Sequence, residues 1–300
     1  MTGILLLDKD PGMSSQKCVF KVRALTGARK AGHGGTLDPM ASGLLPILLG
    51  NATKLSEFLL TGDKEYVAGV RFGVETDTLD VTGQVLAETP CRPTKEELEE
   101  ALPFFTGEIL QTPPMYSALS VGGEKLYRLA RQGIEVERRP RSVAVHRLTL
   151  CSFTGEEAVL AVSCSKGTYI RSLIADLGHR LGCGACMSSL RRTASAGFHL
   201  RDAHTLTQLE EAAEEGRLEE LVISPEDLFL SLPAAETSSA FYYKLLWDGQ
   251  RVLQKKLGTR VGEGELVRWT KNGRFVGLLR EIETEEGSAL AAVWRGEECC

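Results

Sequence analysis

The chain has 300 residues, 43% of them hydrophobic and 25% charged, an ordinary globular composition with room for one large domain, alone or with a small one. No run approaches the roughly 18 uncharged apolar residues that a membrane span needs. The start, Met1-Thr2-Gly3-Ile4-Leu5-Leu6-Leu7-Asp8, meets a charge too early for a signal peptide, so a cytoplasmic location without membrane attachment is expected. Net charge is −5 and the pI near 5.7, so a polyanionic partner has to be met by local basic patches rather than by a global positive field.

In chain order, residues 3–7 read as a short apolar strand running into a turn at Asp10-Pro11-Gly12. Ser14 or Ser15 then caps a helix carrying Cys18, Val22 and Leu25 at helical spacing. A glycine-rich run, Gly32-His33-Gly34-Gly35-Thr36-Leu37-Asp38-Pro39, comes next. Residues 43–49 read as a buried strand, with Pro46 arguing for an edge position or a bulge. Tyr66, Ala68, Val70 and Phe72 alternate with Val67, Gly69 and Arg71, which is strand periodicity. Thr94-Lys95-Glu96-Glu97 is a capping box that opens a helix. Residues 142–150 and 158–164 read as two strands, and Ile170, Leu173, Ile174, Leu177 and Leu181 mark the buried face of an amphipathic helix. The acidic stretch 207–221 reads as a solvated helix face. Residues 232–239 resemble a linker. Beyond them, 265–269 and 274–279 flank Lys271-Asn272-Gly273, a strong hairpin signal. Strands mixed with helices make the main body α+β, and the last sixty or so residues a small β-rich unit.

Eight cysteines are too few for a disulfide scaffold in a chain of this size. Cys183 and Cys186 form a CxxC that supplies two of the four ligands a structural zinc wants, and Cys164 and Cys299-Cys300 are not at metal spacing. The pair reads as a small-residue turn between two elements. Asp77 and Asp80 suggest a metal pair, but no His or further acid stands at a spacing that would complete it.

The glycine-rich run fails as a phosphate loop. Leu37 stands where a dinucleotide fingerprint needs its third Gly, and no Gly-Lys-Ser/Thr is present there. Three glycines instead allow a tight turn and close approach of a ligand, and Pro39 pushes Asp38 toward an extended conformation. A carboxylate is thereby presented on a stiff turn, although on the residues alone an Asp before Pro reads more readily as a turn former. Further on, Lys125, Arg128 and Arg131 recur every three residues, placing them along one helix face, and Arg138, Arg139 and Arg141 come soon after. These six cations in 17 residues outweigh Glu124, Glu135 and Glu137, and Gly122-Gly123 before them reads as a hinge. By default such a basic run is a solvated helix.

Residues 32–46, Gly-His-Gly-Gly-Thr-Leu-Asp-Pro-Met-Ala-Ser-Gly-Leu-Leu-Pro, resemble the catalytic motif of the TruB family of pseudouridine synthases. Four further segments agree in order. They are Leu7-Asp8-Lys9-Asp10-Pro11-Gly12-Met13-Ser14-Ser15; Lys64-Glu65-Tyr66 with Thr76-Asp77-Thr78-Leu79-Asp80; Gln111-Thr112-Pro113-Pro114-Met115-Tyr116-Ser117-Ala118; and Ser165-Lys166-Gly167-Thr168-Tyr169-Ile170-Arg171-Ser172-Leu173 with Leu190-Arg191-Arg192-Thr193. The similarity spans about residues 3–200, and the tail is similar, more weakly, to the small PUA-like domain of many members.

The resemblance implies an α+β pseudouridine synthase core with a mixed, mostly antiparallel sheet flanked by helices. It implies a catalytic domain over 1–235 with a thumb-like insertion at about 110–141, and a β-rich PUA-like RNA-binding domain over 236–300. The implied activity isomerises the T-loop uridine of tRNA, position 55, with Asp38 as nucleophile and Tyr66, Arg171 and Asp80 as its catalytic neighbours. His33, Tyr66, Tyr169 and Leu190 would bind the flipped-out uridine. Lys125, Arg128, Arg131, Arg138, Arg139 and Arg141 would grip the RNA. No cofactor, no metal and no obligatory protein partner is expected, and the chain is expected to be a monomer with the tRNA T-arm as its partner. Two alternatives stand beside this: a guide-RNA-dependent, dyskerin-like synthase, and a noncatalytic RNA-binding or tRNA-folding protein. The chain departs from the family pattern at Gly34, where Thr is usual, and at Ser120, where Lys is common.

Overall fold

The computed structural model describes residues 1–296, so Cys299 and Cys300 lie outside the described residues. A nine-stranded mixed sheet forms the main body. Seven strands make its path: β1 (Gly3–Lys9), β2 (Ser42–Leu49), β3 (Lys64–Phe72), β4 (Gly107–Gln111), β5 (Arg141–Phe153), β6 (Glu157–Cys164) and β7 (Ala185–Ser195). Their spatial order is β1-β2-β7-β3-β6-β5-β4, and every pairing is antiparallel except β2 with β7. The expected mixed, mostly antiparallel sheet is therefore present.

Two helices position the residues around Asp38. Helix α1 (Ser15–Thr26) starts where Ser14 accepts a hydrogen bond from the Lys17 amide and stops at Gly27, whose φ of 63° no β-carbon opposes. It buries Cys18, Val19 and Val22. Helix α2 (Ile170–Arg180) buries Leu173, Ile174 and Leu177 against the sheet core that includes Val70, Phe72 and Leu160. The predicted capping box is present in full, with Thr94 and Glu97 each satisfying the other's backbone amide at the head of the helix Lys95–Ala101.

Pro46 is neither at an edge nor in a bulge. It lies inside β2, opposite Leu6 of β1, and the strand has partners on its other side before and after it. Those second partners change along the strand: Ser42 and Gly43 pair with β7, whereas Ile47, Leu48 and Leu49 pair with the short strand Ala31–His33. Pro46 sits at the changeover, so its missing N–H costs no ladder bond, while its carbonyl accepts from the Gly34 amide at 2.9 Å. Gly43 is needed nearby, because a β-carbon there would stand 2.3 Å from the Arg192 carbonyl.

Between β4 and β5 the chain leaves the sheet and returns beside its exit point, Arg141 pairing with Gln111. This excursion holds a two-residue ladder, Ser120–Val121 with Glu124–Lys125, and the short helix Leu126–Arg131. Gly122 and Gly123, with φ of 60° and 89°, are the tight turn of that hairpin.

Residues 232–239 are not a linker. Ala234–Glu236 is a strand that pairs in parallel with Leu266–Lys271 and buries Ala235. With Arg274–Ile282, Ala289–Arg295 and Val252–Leu253 it forms a separate five-stranded sheet. The hairpin at Asn272-Gly273 forms as expected, both residues having positive φ. This C-terminal unit docks on the main body through Trp294, Leu278 and Phe275, which join Ile4, Leu48 and Phe58 in one apolar cluster. Cys183 and Cys186 are both buried free thiols, pushed up in pKa by burial. Among the described residues, no helix is long and apolar enough to cross a membrane.

Candidate active site

Asp38 lies in the loop joining the strand Ala31–His33 to β2, and three buried side chains pin that loop. Ser15, in the first turn of α1, brackets Leu37, donating to its carbonyl at 3.0 Å and accepting from its amide at 2.8 Å. Lys9, at the end of β1 and fully buried, donates from Nζ to the carbonyls of Asp10 (2.9 Å), Pro39 (3.2 Å) and Ala41 (2.5 Å). Burial pushes the Lys9 pKa down, and the Asp38 carboxylate is among the groups pushing it back. Arg192, on β7 and also buried, donates to the carbonyls of Leu44 (2.7 Å), Gly35 (3.1 Å) and Thr36 (3.4 Å). Bonds from charged donors to carbonyls are the stronger kind, so the loop is held from both ends.

The glycines of this loop do different things. Gly35 has a positive φ of 141°. Gly34 is there for packing, since a β-carbon on it would come within 2.6 Å of a Leu59 methyl. The departure from Thr at this position thus has a physical cause in this chain: Leu59 fills the space. Ser120, the other departure, is an exposed hairpin residue.

Arg171 converges on Asp38 from the first turn of α2. Its Nε stands 3.0 Å from Asp38 Oδ2, and one terminal nitrogen stands 3.7 Å from Asp80 Oδ2. That nitrogen also donates to the Thr78 carbonyl at 2.9 Å, and the other donates to the Tyr116 carbonyl at 2.8 Å. The Arg171 side chain is 6% exposed, whereas Asp38 keeps 34% of its side-chain surface open. Burial pushes the Asp38 carboxyl above its ordinary pKa, even though Arg171 pulls the other way.

Asp80 is itself held in place. Its Oδ1 accepts from Thr78 Oγ1 (2.9 Å), the Thr82 amide (2.9 Å) and Thr82 Oγ1 (2.5 Å). The turn before it carries Leu79 at a φ of 64°, a strained value for a leucine. Asp77 is occupied differently, accepting from the Gln84 amide (2.7 Å) and from the Tyr116 hydroxyl (3.2 Å). The two acids therefore do not face one another as a metal pair.

Sheet register delivers the remaining candidates. Tyr66 on β3 stands opposite Arg192 on β7, and Ala68 opposite Leu190. Burial pushes the Tyr66 hydroxyl up in pKa, opposed by the neighbouring Arg192 charge, and the Asp38 charge also reaches it. Tyr169, immediately before α2, is likewise pushed up by burial and lies within the fields of Arg171 and Asp38. Its backbone is fixed by Gln111, which accepts from the Tyr169 amide at 2.7 Å and donates to its carbonyl at 3.0 Å. His33 ends the strand ahead of the loop. Burial and the Arg192 charge lower its pKa, and its buried Nδ1 has no hydrogen-bond partner among the described residues.

The six basic residues expected to grip RNA are less uniform than their spacing suggests. The helix begins at Leu126, so Lys125 lies outside it and donates to the Ala118 carbonyl at 2.9 Å. Arg128 and Arg131 flank the Tyr127 ring and are exposed. Arg139 and Arg141 are exposed as well. Arg138 is folded back, 3.0 Å from Glu135 and 3.2 Å from the Pro113 carbonyl. Both of its terminal nitrogens are thereby engaged within the insertion.

Lys9 and Arg192 hold the Asp38 loop, a role that the sequence leaves unassigned although both fall inside the motif segments. The available signal is a lysine closing a strand that begins with the apolar run Gly3-Ile4-Leu5-Leu6-Leu7, and a second arginine in Leu190-Arg191-Arg192 at a position facing the strand of Tyr66.

Residues 23–170 match the family described as TruB family pseudouridylate synthase (N terminal domain), and residues 171–230 match the tRNA pseudouridylate synthase B C-terminal domain. The chain is 46% identical over 284 residues to the tRNA pseudouridine synthase B of Stutzerimonas stutzeri (strain A1501), covering 93% of this chain and 91% of that one. Identity to the protein of the same name from Pseudomonas aeruginosa (strain UCBPP-PA14) is 47% over 287 residues, with 93% and 91% covered. Among solved structures, that of a Cbf5-Nop10-Gar1 complex is similar with a TM-score of 0.72 and 27% identity over 98% of this chain and 84% of that chain. An H/ACA RNP bound to a substrate RNA containing 2'-deoxyuridine gives 0.71 at 24% identity, over 99% and 85%, a likeness of fold alone.

Proposed function

The chain belongs to the TruB family of pseudouridylate synthases, and on that premise we propose that it isomerises the T-loop uridine at position 55 of tRNA with Asp38 as the nucleophile. It is an isomerase of the tRNA pseudouridine synthase kind. The observation that carries the residue assignment is the Asp38–Arg171 contact at 3.0 Å, in which the arginine is enclosed while the carboxylate stays open to an incoming nucleotide.

The reaction breaks the N1–C1′ bond of uridine, turns the detached uracil and joins C5 to C1′. The hydrogen on C5 is lost and N1 gains one, so atoms balance without redox change or hydrolysis, and the step calls for no cofactor. Asp38 supplies the carboxylate that meets C1′. Arg171 holds it ionised and aimed, and Asp80 fixes Arg171 from the far side. A uridine inside a folded T-loop is out of reach until it leaves its stack. His33, held neutral by burial and by Arg192, fills the place the nucleotide vacates. Tyr66 stacks on the extruded uracil, and Tyr169 and Leu190 close the pocket around it. Lys125, Arg128, Arg131, Arg139 and Arg141 contact RNA phosphates, with Arg138 bracing the insertion that carries them. The C-terminal β unit, which opens with the strand Ala234–Glu236, serves as a further RNA-binding domain.

The test is incubation of the purified chain with an unmodified tRNA transcript and nothing else, followed by pseudouridine mapping. Product at position 55 is the expected result, and it excludes a guide-RNA requirement. Asp38→Asn should abolish product while tRNA binding persists. Undiminished turnover in that variant would remove Asp38 from the chemistry.

A further inference from the structure

We propose that the outer face of α1, continued by Arg29, Lys30 and Lys54, is a second RNA-binding surface that takes the phosphate backbone of the substrate outside the T-loop, an inference that rests on the reading of the chain as a tRNA-modifying enzyme. In a chain of net charge −5, residues 11–56 contain Lys17, Lys21, Arg23, Arg29, Lys30 and Lys54 and a single acid, Asp38. All six cations are exposed, and among the described residues none of them takes part in an ion pair. A solvent-facing cluster of cations outside any ion pair is the electrostatic footprint of a polyanion site.

The geometry of the helix adds a base-stacking element. At about 100° per residue, Arg23, Gln16, Phe20, Ala24, Lys17 and Lys21 fill one continuous arc of roughly 160°. Every residue in that arc is exposed, and Phe20 in its middle is 59% exposed. The opposite arc, with Cys18, Val19 and Val22, is the buried one. A bare aromatic ring flanked by cations is costly in water and suits an unpaired base with its phosphates.

The surface is continuous with the candidate active site. Ser15, two residues before Lys17, is the side chain that brackets Leu37 beside Asp38. At the other end, Arg29 and Lys30 lead directly into the strand Ala31–His33, and Lys54 lies on the short helix Gly50–Leu55 that packs against that strand. The acidic helix Leu206–Glu214 also packs against α1, yet no ion pair joins the two among the described residues, and its carboxylates would keep RNA to the far side of the band.

The experiment measures binding of full-length tRNA transcript over a salt series, alongside the single-turnover rate at saturating enzyme. Lys17→Gln with Lys21→Gln should flatten the slope of log affinity against log salt by about 1.4, at about 0.7 for each single-stranded phosphate no longer neutralised. Phe20→Ala should weaken binding roughly tenfold. The saturated single-turnover rate should stay at its wild-type value, because none of these residues touches the Asp38 site. Should the double variant fold poorly, Lys21→Gln alone suffices, since that exposed side chain makes no hydrogen bond or ion pair among the described residues. An unchanged salt slope and affinity in an active enzyme would overturn the proposal. So would variant-sensitive binding to phosphatidylserine vesicles with tRNA affinity unaltered, which would assign the face to a membrane surface. Failure of the tRNA reading shows differently, as absence of product in the wild-type chain.

Discussion

All three nitrogens of Arg171 are engaged before any substrate arrives: Nε by Asp38, one terminal nitrogen by Thr78 and Asp80, the other by the Tyr116 carbonyl. A lysine at this position has one nitrogen and cannot span those partners. Arg171→Lys should therefore lose about 3 kcal/mol of positioning, the worth of one or two charged hydrogen bonds, and slow the single-turnover rate roughly a hundredfold with tRNA affinity unaltered. With Asp38 as the proposed nucleophile, the pH dependence of the rate should follow its carboxyl. That carboxyl is raised by burial, so the acid limb of the rate should lie above the ordinary aspartate value of about 4. Removing the Arg171 charge with Arg171→Gln withdraws the group that favours the anion, and should move that limb to still higher pH. The same shift has a stability consequence. A carboxyl with a folded pKa above its unfolded one binds its proton more tightly in the fold, so its contribution is favourable below the unfolded pKa and is lost as pH rises through the folded pKa. Asp38→Asn should accordingly gain thermal stability over wild type as pH is raised from about 3 to about 7, read as the difference in melting midpoint. At Gly34, threonine should cost about 1–3 kcal/mol through collision with Leu59. Pairing Gly34→Thr with Leu59→Ala should recover part of that loss, a coupling that a double-mutant cycle of unfolding free energies would measure.

At the scale of elements, the parts legible in the sequence are those whose determinants sit next to one another in the chain. Thr94 and Glu97 are three residues apart and form the capping box they spell. Thr94→Ala should cost about 1 kcal/mol, measurable by chemical denaturation. Asn272 and Gly273 adopt the two positive φ values that such a hairpin turn requires. The misreadings involve partners from far away. Residues 232–239 look like a linker because the strand inside them is three residues long, holds one buried alanine, and is formed only by parallel pairing with Leu266–Lys271. Pro46 looks like an edge residue because the proline rule assumes one neighbour for the whole strand, whereas β2 changes neighbours at that residue. Lys125 looks helical from its spacing with Arg128, but the chain is still completing a hairpin there.

For the whole molecule, the main consequence concerns how the C-terminal sheet is held. Trp294 donates from its indole nitrogen to the Asn51 carbonyl at 3.1 Å, stacks on Phe275, and buries all but 4% of its surface in the cluster shared with the main body. The Asn51 side chain donates in turn to the Gly296 carbonyl at 3.1 Å, and Arg268 pairs with Glu226 at 2.9 Å. Trp294→Ala should cost about 3–5 kcal/mol and uncouple the two units, splitting the calorimetric unfolding transition in two. A single cooperative transition in that variant would mean the remaining contacts suffice. Local elements, the family and the identity of the residues around Asp38 were all readable along the chain, because caps, turns, periodicities and motifs act between neighbours. How those residues meet was not, and it emerged only from the assembled fold. Register between β3 and β7 set Arg192 beside Tyr66, close packing of Leu59 explained Gly34, and Lys9 and Arg192 became the clamps of the Asp38 loop. Burial of a cation against carbonyls distant in sequence has no local signature. It exists only once the sheet has closed over it.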